Sequence, residues 1–75
     1  MKIERNIKNN KAVSVFKRGE NLIGIIYRDY SNNALPYWGE VKHGENMFTS
    51  ANYVDEDFVE QWIDNKFNSI IGGKK

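Results

Sequence analysis

The chain reads as a small α+β domain: an antiparallel sheet of three to four strands, then one carboxy-terminal amphipathic helix packed on one face. Three observations predict this. The stretch from Lys11 to Arg28 is rich in β-branched residues and is interrupted by Gly19-Glu20, a glycine-led pair suited to a type II′ hairpin turn. Two further turn-forming clusters, Ser31-Asn32-Asn33 and Gly44-Glu45-Asn46, punctuate the sequence that follows. Beyond Asp55 the apolar residues change to helical spacing.

Residues 1–10 are polar apart from Met1, Ile3 and Ile7, and are expected to form a polar arm or an edge strand. Residues 11–73 form the single domain, and 74–75 a disordered tail. Within the domain the first strand covers about 11–17 and the second about 21–30. A two-residue turn pairs positions whose numbers sum to 39, and register decides which side chains share a face. One face then holds Val13, Val15, Leu22 and Ile26, and the other Phe16, Ile23, Ile25 and Tyr27. A three- or five-residue loop would shift this pairing, but either register leaves both faces apolar.

The third strand covers about 35–43. Pro36 has no N–H to give a ladder, so it belongs at a strand start or an edge. Met47-Phe48-Thr49 is a short fourth strand. Gly19, Gly39 and Gly44 are turn or bulge candidates, and Gly24 marks a close approach to the second strand.

Asp55 is the expected helix N-cap, with Glu56 and Asp57 placed where negative charge complements the helix dipole. Val54 and Val59 have the spacing of a hydrophobic staple. Phe58, Val59, Trp62, Ile63, Phe67 and Ile70 approximate one stripe, with Trp62 expected to anchor the helix, and Gly72-Gly73 ends it.

Composition removes several classes of function. There is no cysteine, so neither disulfides nor thiolate metal sites can form, and a single histidine does not make an imidazole-rich zinc site. No metal and no cofactor are expected. Met-Lys-Ile-Glu-Arg-Asn at the amino terminus lacks the apolar core of a secretory signal, and no apolar run nears the length needed to cross a bilayer, which predicts a cytoplasmic protein away from membranes. Asn, Lys and Ile make up 26 of 75 residues, the bias of an AT-rich genome such as a low-GC bacterium, a phage or a plasmid.

Charge is asymmetric. Residues 1–18 carry six cations against Glu4, a net +5, and the remainder carries five cations against nine carboxylates, a net −4. Such asymmetry can steer a partner.

Catalytic signatures are missing. His43 is the sole imidazole and precedes Gly44 at a strand end, an ordinary position for an exposed turn histidine. No nucleophile elbow, Walker loop or dinucleotide fingerprint is present. A non-enzymatic chain is therefore expected. Asp57, Glu60 and Asp64 share a helix stripe, read either as a solvated face opposite Trp62 or as an acidic contact surface for a basic partner.

A sheet with two apolar faces needs two covers, and the sequence offers one helix. The second face calls for the amino-terminal segment, a second copy or another protein. The expected function is an interaction module that binds another protein or itself, such as a phage- or mobile-element-encoded regulator or inhibitor of a host protein. Phe16, Ile26, Arg28, Tyr30, Tyr37, Trp38 and Lys42 are the candidate partner-binding residues. The alternative is a small nucleic-acid-binding regulator using Lys8, Lys11, Lys17, Arg18, Arg28 and Lys42, with the sheet aromatics stacking bases.

The step Phe48-Thr49 followed by a helix bearing Trp62 resembles the amino-terminal DNA-binding domains of some phage and transposon integrases, which set a three-stranded sheet before a helix. The resemblance covers the last half of the chain. Its intervening segment is longer and more acidic here, and no functional residue is carried over.

Overall fold

The computed structural model describes residues 10–72. Of the expected arm 1–10, residues 1–9 lie outside the described residues, as does the tail 74–75, and Asn10 opens the first strand. Four strands run in sequence order across one antiparallel sheet: β1 (Asn10–Arg18), β2 (Leu22–Asp29), β3 (Tyr37–His43) and β4 (Asn46–Thr49). Helix α1 (Glu56–Ile71) follows and packs over β3 and β2. The expected α+β class is the observed one.

Each boundary has a local cause. Gly19 (φ 71°) and Gly44 (φ 61°) occupy the left-handed region in the two tight turns, which residues with a Cβ resist. After β2, the Asp29 carboxylate accepts from the Ser31 N–H (3.0 Å) and hydroxyl (2.6 Å), an Asx-type reversal. Pro36 lies just ahead of β3, and its carbonyl accepts from the Asp29 N–H. Asp55 caps α1 by accepting from the Asp57 N–H, and Gly72 closes it by donating to the Asn68 carbonyl (2.8 Å).

Between β4 and α1 the chain stays close to β3. Ser50 is the buried polar residue there, and it is satisfied: its Oγ accepts from the Gly39 N–H (2.7 Å) and donates to the Ala51 carbonyl (2.7 Å). Tyr53 then exchanges two backbone hydrogen bonds with Tyr37. This tether sets where α1 begins.

The register of β1 on β2 departs from the two-residue-turn expectation. Arg18 pairs with Leu22, so the turn takes in Gly19, Glu20 and Asn21. Phe16 now pairs with Gly24 and faces the helix, while Val15 pairs with Ile25 on the opposite face; the two exchange the sides expected for them. The physical gain is that a bulky ring lies beside a residue with no side chain, under the helix. A bulge between Ala12 and Ser14, with Val13 as the extra residue, then restores the expected pairing in Ala12↔Tyr27, Lys11↔Arg28 and Asn10↔Asp29.

The core is one cluster of Leu22, Ile26, Val41, Val59, Ile63 and Phe67, with Phe16, Tyr37, Phe48, Tyr53, Trp62 and Ile70 packed around it. The central helix stripe is therefore Val59, Ile63 and Phe67, at i, i+4 and i+8. Trp62 is a half-buried flank rather than the anchor, and Phe58 is 51% exposed. Val54 is 58% exposed, so the expected staple to Val59 gives it little cover.

Two glycines permit the close docking. A Cβ on Gly24 would lie 2.5 Å from Ile63 Cγ2, and one on Gly39 would lie 2.6 Å from Val59 Cγ1. Gly24 is the close approach expected, whereas Gly39 is neither turn nor bulge but sits inside β3 beneath the helix.

Gly24→Ala is expected to destabilise the fold by about 1–3 kcal/mol through overpacking against Ile63, read by urea denaturation. Ile63→Ala is expected to cost about 2–5 kcal/mol and to exceed the loss from Trp62→Ala measured in the same way, because Ile63 is 2% exposed and Trp62 is a flank.

Candidate functional site

Strand alternation gives the sheet face away from α1 a definite order. One row across it reads Lys17, Ile23, Lys42 and Met47, and the next reads Val15, Ile25, Glu40 and Thr49. Ala12, Tyr27 and Trp38 form a third row. Val15 and Met47 are each 59% exposed, and Ile23, Ile25 and Tyr27 are half-buried. The face is apolar along β2 and at the stacked Tyr27–Trp38 row, while Glu40 and Lys42 of β3 and Lys17 of β1 bring charge to it.

Its third row is a built aromatic unit. The Tyr27 and Trp38 rings stack with centroids 4.4 Å apart and planes 18° from parallel. Trp38 Nε1 donates to Asn10 Oδ1 at 2.7 Å, which explains why the bulge in β1 matters: it keeps Asn10 on this face. Tyr27 Oη donates to Glu40 Oε1 at 3.0 Å. Burial, joined by that bond and the carboxylate charge, pushes the Tyr27 hydroxyl up to about 12.

The sequence-derived site residues divide between the two faces. Trp38 and Lys42 are on the helix-free face, and Trp38 is only 6% exposed. Ile26 is 1% exposed in the core, so it presents nothing to a partner; its register places it on the helix side. Phe16 also faces the helix. Arg28 and Tyr37 lie on the helix side of the sheet with Tyr30 beside them in the loop: the guanidinium sits 5.0 Å from the Tyr30 ring centroid and 5.5 Å from that of Tyr37, and Nη1 donates to Tyr37 Oη at 3.1 Å. Arg28 Nε is buried with no hydrogen-bond partner among the described residues. Tyr37 and Trp38, adjacent in β3, point to opposite faces as expected. Sequence reasoning did not single out Val15, Ile23, Ile25, Tyr27 or Met47 as contact residues, though alternation in β2 carried that signal.

The cations proposed for nucleic acid do not share one surface. Lys17 and Lys42 lie on the helix-free face, Arg28 lies among tyrosines on the other, and Lys11 is exposed on β1. Arg18 is held by Asp64 (2.7 Å) and Asn68 (3.0 Å), with its guanidinium 5.1 Å from the Phe67 ring centroid. Lys8 lies outside the described residues. Asp57, Glu60 and Asp64 do lie opposite Trp62 around the helix. Because the core stripe runs between the two, the acids emerge along a groove of about 570 Å3 between α1 and β1.

His43 is half-buried at the end of β3, paired with Asn46. No group of three or more His, Asp and Glu side chains is gathered to hold a metal among the described residues, and no helix among them is long and apolar enough to cross a membrane. No family model, no curated protein and no solved structure matches the chain.

Tyr27 generates a pH dependence. Its folded value of about 12 lies above the ordinary phenol value of 10.0, so the fold favours the neutral phenol. That stabilisation is fully present below pH 10 and is lost as pH rises through the folded value. A tyrosinate absorbance titration should show one step near pH 12 that disappears in Tyr27→Phe, and the variant should lose less stability across that alkaline window.

Proposed function

We propose that this chain is a non-enzymatic interaction module that binds another protein, or a second copy of itself, through the sheet face opposite α1. The observation that supports it is the apolar strip of Val15, Ile25 and Ile23 across β1 and β2, with Met47 beyond Lys42 on β4; Val15 and Met47 each keep 59% of their surface exposed in regular strand positions. Apolar surface that is both ordered and open gains free energy when another molecule removes it from water, at roughly 25 cal/mol per Å2. Lys17, Lys42 and Glu40 supply the polar frame that would fix orientation. Glu40 and Lys42, two positions apart on β3, give an antiparallel second copy an opposite charge to meet.

A phage or mobile-element regulator acting on a host protein is the biological form that the Asn-, Lys- and Ile-rich composition suggests. The reading gives His43, the sole imidazole, no catalytic role.

Val15→Asp combined with Met47→Asp is expected to abolish association seen by sedimentation velocity or by cross-linking. Folding stability should change by no more than about 0.5 kcal/mol, since both positions are exposed. A photo-crosslinking residue placed at Met47 that captures neither a second copy nor another protein in the source cell would overturn the proposal.

A further inference from the structure

The helix docks over β2 and β3, and β1 extends beyond it as an edge of the sheet among the described residues. An edge strand presents a row of backbone N–H and C=O groups to any chain that can lie beside it. In β1 the bulge disturbs the amino-terminal half only, so residues 14–18 run in regular register against Ile26 to Leu22. Directly above that regular stretch lies the groove of about 570 Å3 between β1 and α1. Phe16, Ile63 and Phe67 form its apolar floor, and Asp57, Glu60 and Asp64 stand along its helix wall.

Arg18 shows what chemistry this gap accepts. From β1 it reaches the helix, places its guanidinium 2.7 Å from Asp64 and lies across the Phe67 ring. Asp57 and Glu60, nearer the helix amino terminus on the same wall, have no cation within ion-pair distance among the described residues. The lining cations, Arg18 and Lys17, both come from β1, and the three carboxylates all come from α1, so the helix side of the groove is negative. The other side of the same strand is different in kind, since Val15 there is 59% exposed and points to the apolar helix-free face.

We propose that residues 14–18 of β1 accept an extended peptide of alternating basic and apolar residues as a fifth strand. Strand alternation sends its side chains to opposite faces. The basic set enters the groove, with aliphatic stems over Phe16 and cationic heads on Asp57 and Glu60. The apolar set lies beside Val15 and extends the helix-free face. Main-chain hydrogen bonds supply affinity independent of sequence, and the two faces read the alternation. A peptide with the opposite charge meets three carboxylates and is rejected. This inference does not rest on the helix-free face binding a protein, since the backbone edge and the acidic wall are separate features.

The test titrates the full chain with a fluorescent, end-capped Lys-Val-Lys-Val-Lys-Val peptide, followed by anisotropy. Saturable binding is expected. Asp57→Asn with Glu60→Gln should weaken it about tenfold, as befits two exposed ion pairs. Both side chains are exposed, and unchanged helical circular dichroism would certify the fold. A Glu-Val-Glu-Val-Glu-Val peptide should not bind. Methylating one set of alternate backbone nitrogens in the lysine peptide should abolish binding, and methylating the other set should leave it intact, because only one edge of a strand faces β1. No binding at millimolar peptide, equal affinity in the double variant, or equal behaviour of the two methylated peptides would overturn the proposal. So would sedimentation showing that β1 is already paired with a second copy that the peptide cannot displace.

Discussion

The contact of α1 with Gly24 and Gly39 governs the rest of this molecule. At both positions the helix comes so near the sheet that a single methyl group would collide with Ile63 or Val59. The two glycines lie on neighbouring strands, one residue pair apart on the same face, and together they form a shallow seat. A domain of 75 residues has little surface to bury, so close contact of this kind carries much of its stability. The loss of strand propensity at two interior glycines is offset by dispersion contacts that a wider spacing would forfeit.

That seat also decides what remains open. Because both glycines belong to β2 and β3, the helix docks over those two strands, and β1 lies to one side with only the Phe16 ring turned in toward the core. The acidic flank of the helix then hangs over β1 as the wall of a groove, and Arg18 spans the gap. On the other side of the sheet nothing among the described residues takes the helix's place, and apolar positions of all four strands share one surface. One packing choice thus produces both the groove beside β1 and the open sheet face.

The charge asymmetry of the sequence takes on a different meaning in three dimensions. In the sequence, a basic first segment and an acidic remainder form two blocks that can steer a partner. Folding instead separates neighbouring cations by strand alternation, sending Lys17 to one face and Arg18 to the other. Arg18 meets the acidic helix and Arg28 lies against two tyrosines, so neither joins Lys17 and Lys42 on the helix-free face. Clustering along a strand is a poor guide to clustering in space, since adjacent residues point opposite ways.

Local sequence accounts for the elements: turn glycines, the proline before β3, the Asp55 cap and helical spacing set local conformation through sterics and short-range hydrogen bonds. It also determined that β2 is apolar on both sides, because alternation within one strand needs no partner. Tertiary structure alone decided which side chains those faces carry. The third residue of the first turn moved Phe16 under the helix and Val15 out, and the Val13 bulge reversed the shift to bring Asn10 to Trp38. It alone chose Val59, Ile63 and Phe67 over Trp62 as the central stripe, since the orientation of a helix depends on the surface that receives it. Here that surface is two glycines far apart in sequence, whose proximity no local pattern encodes.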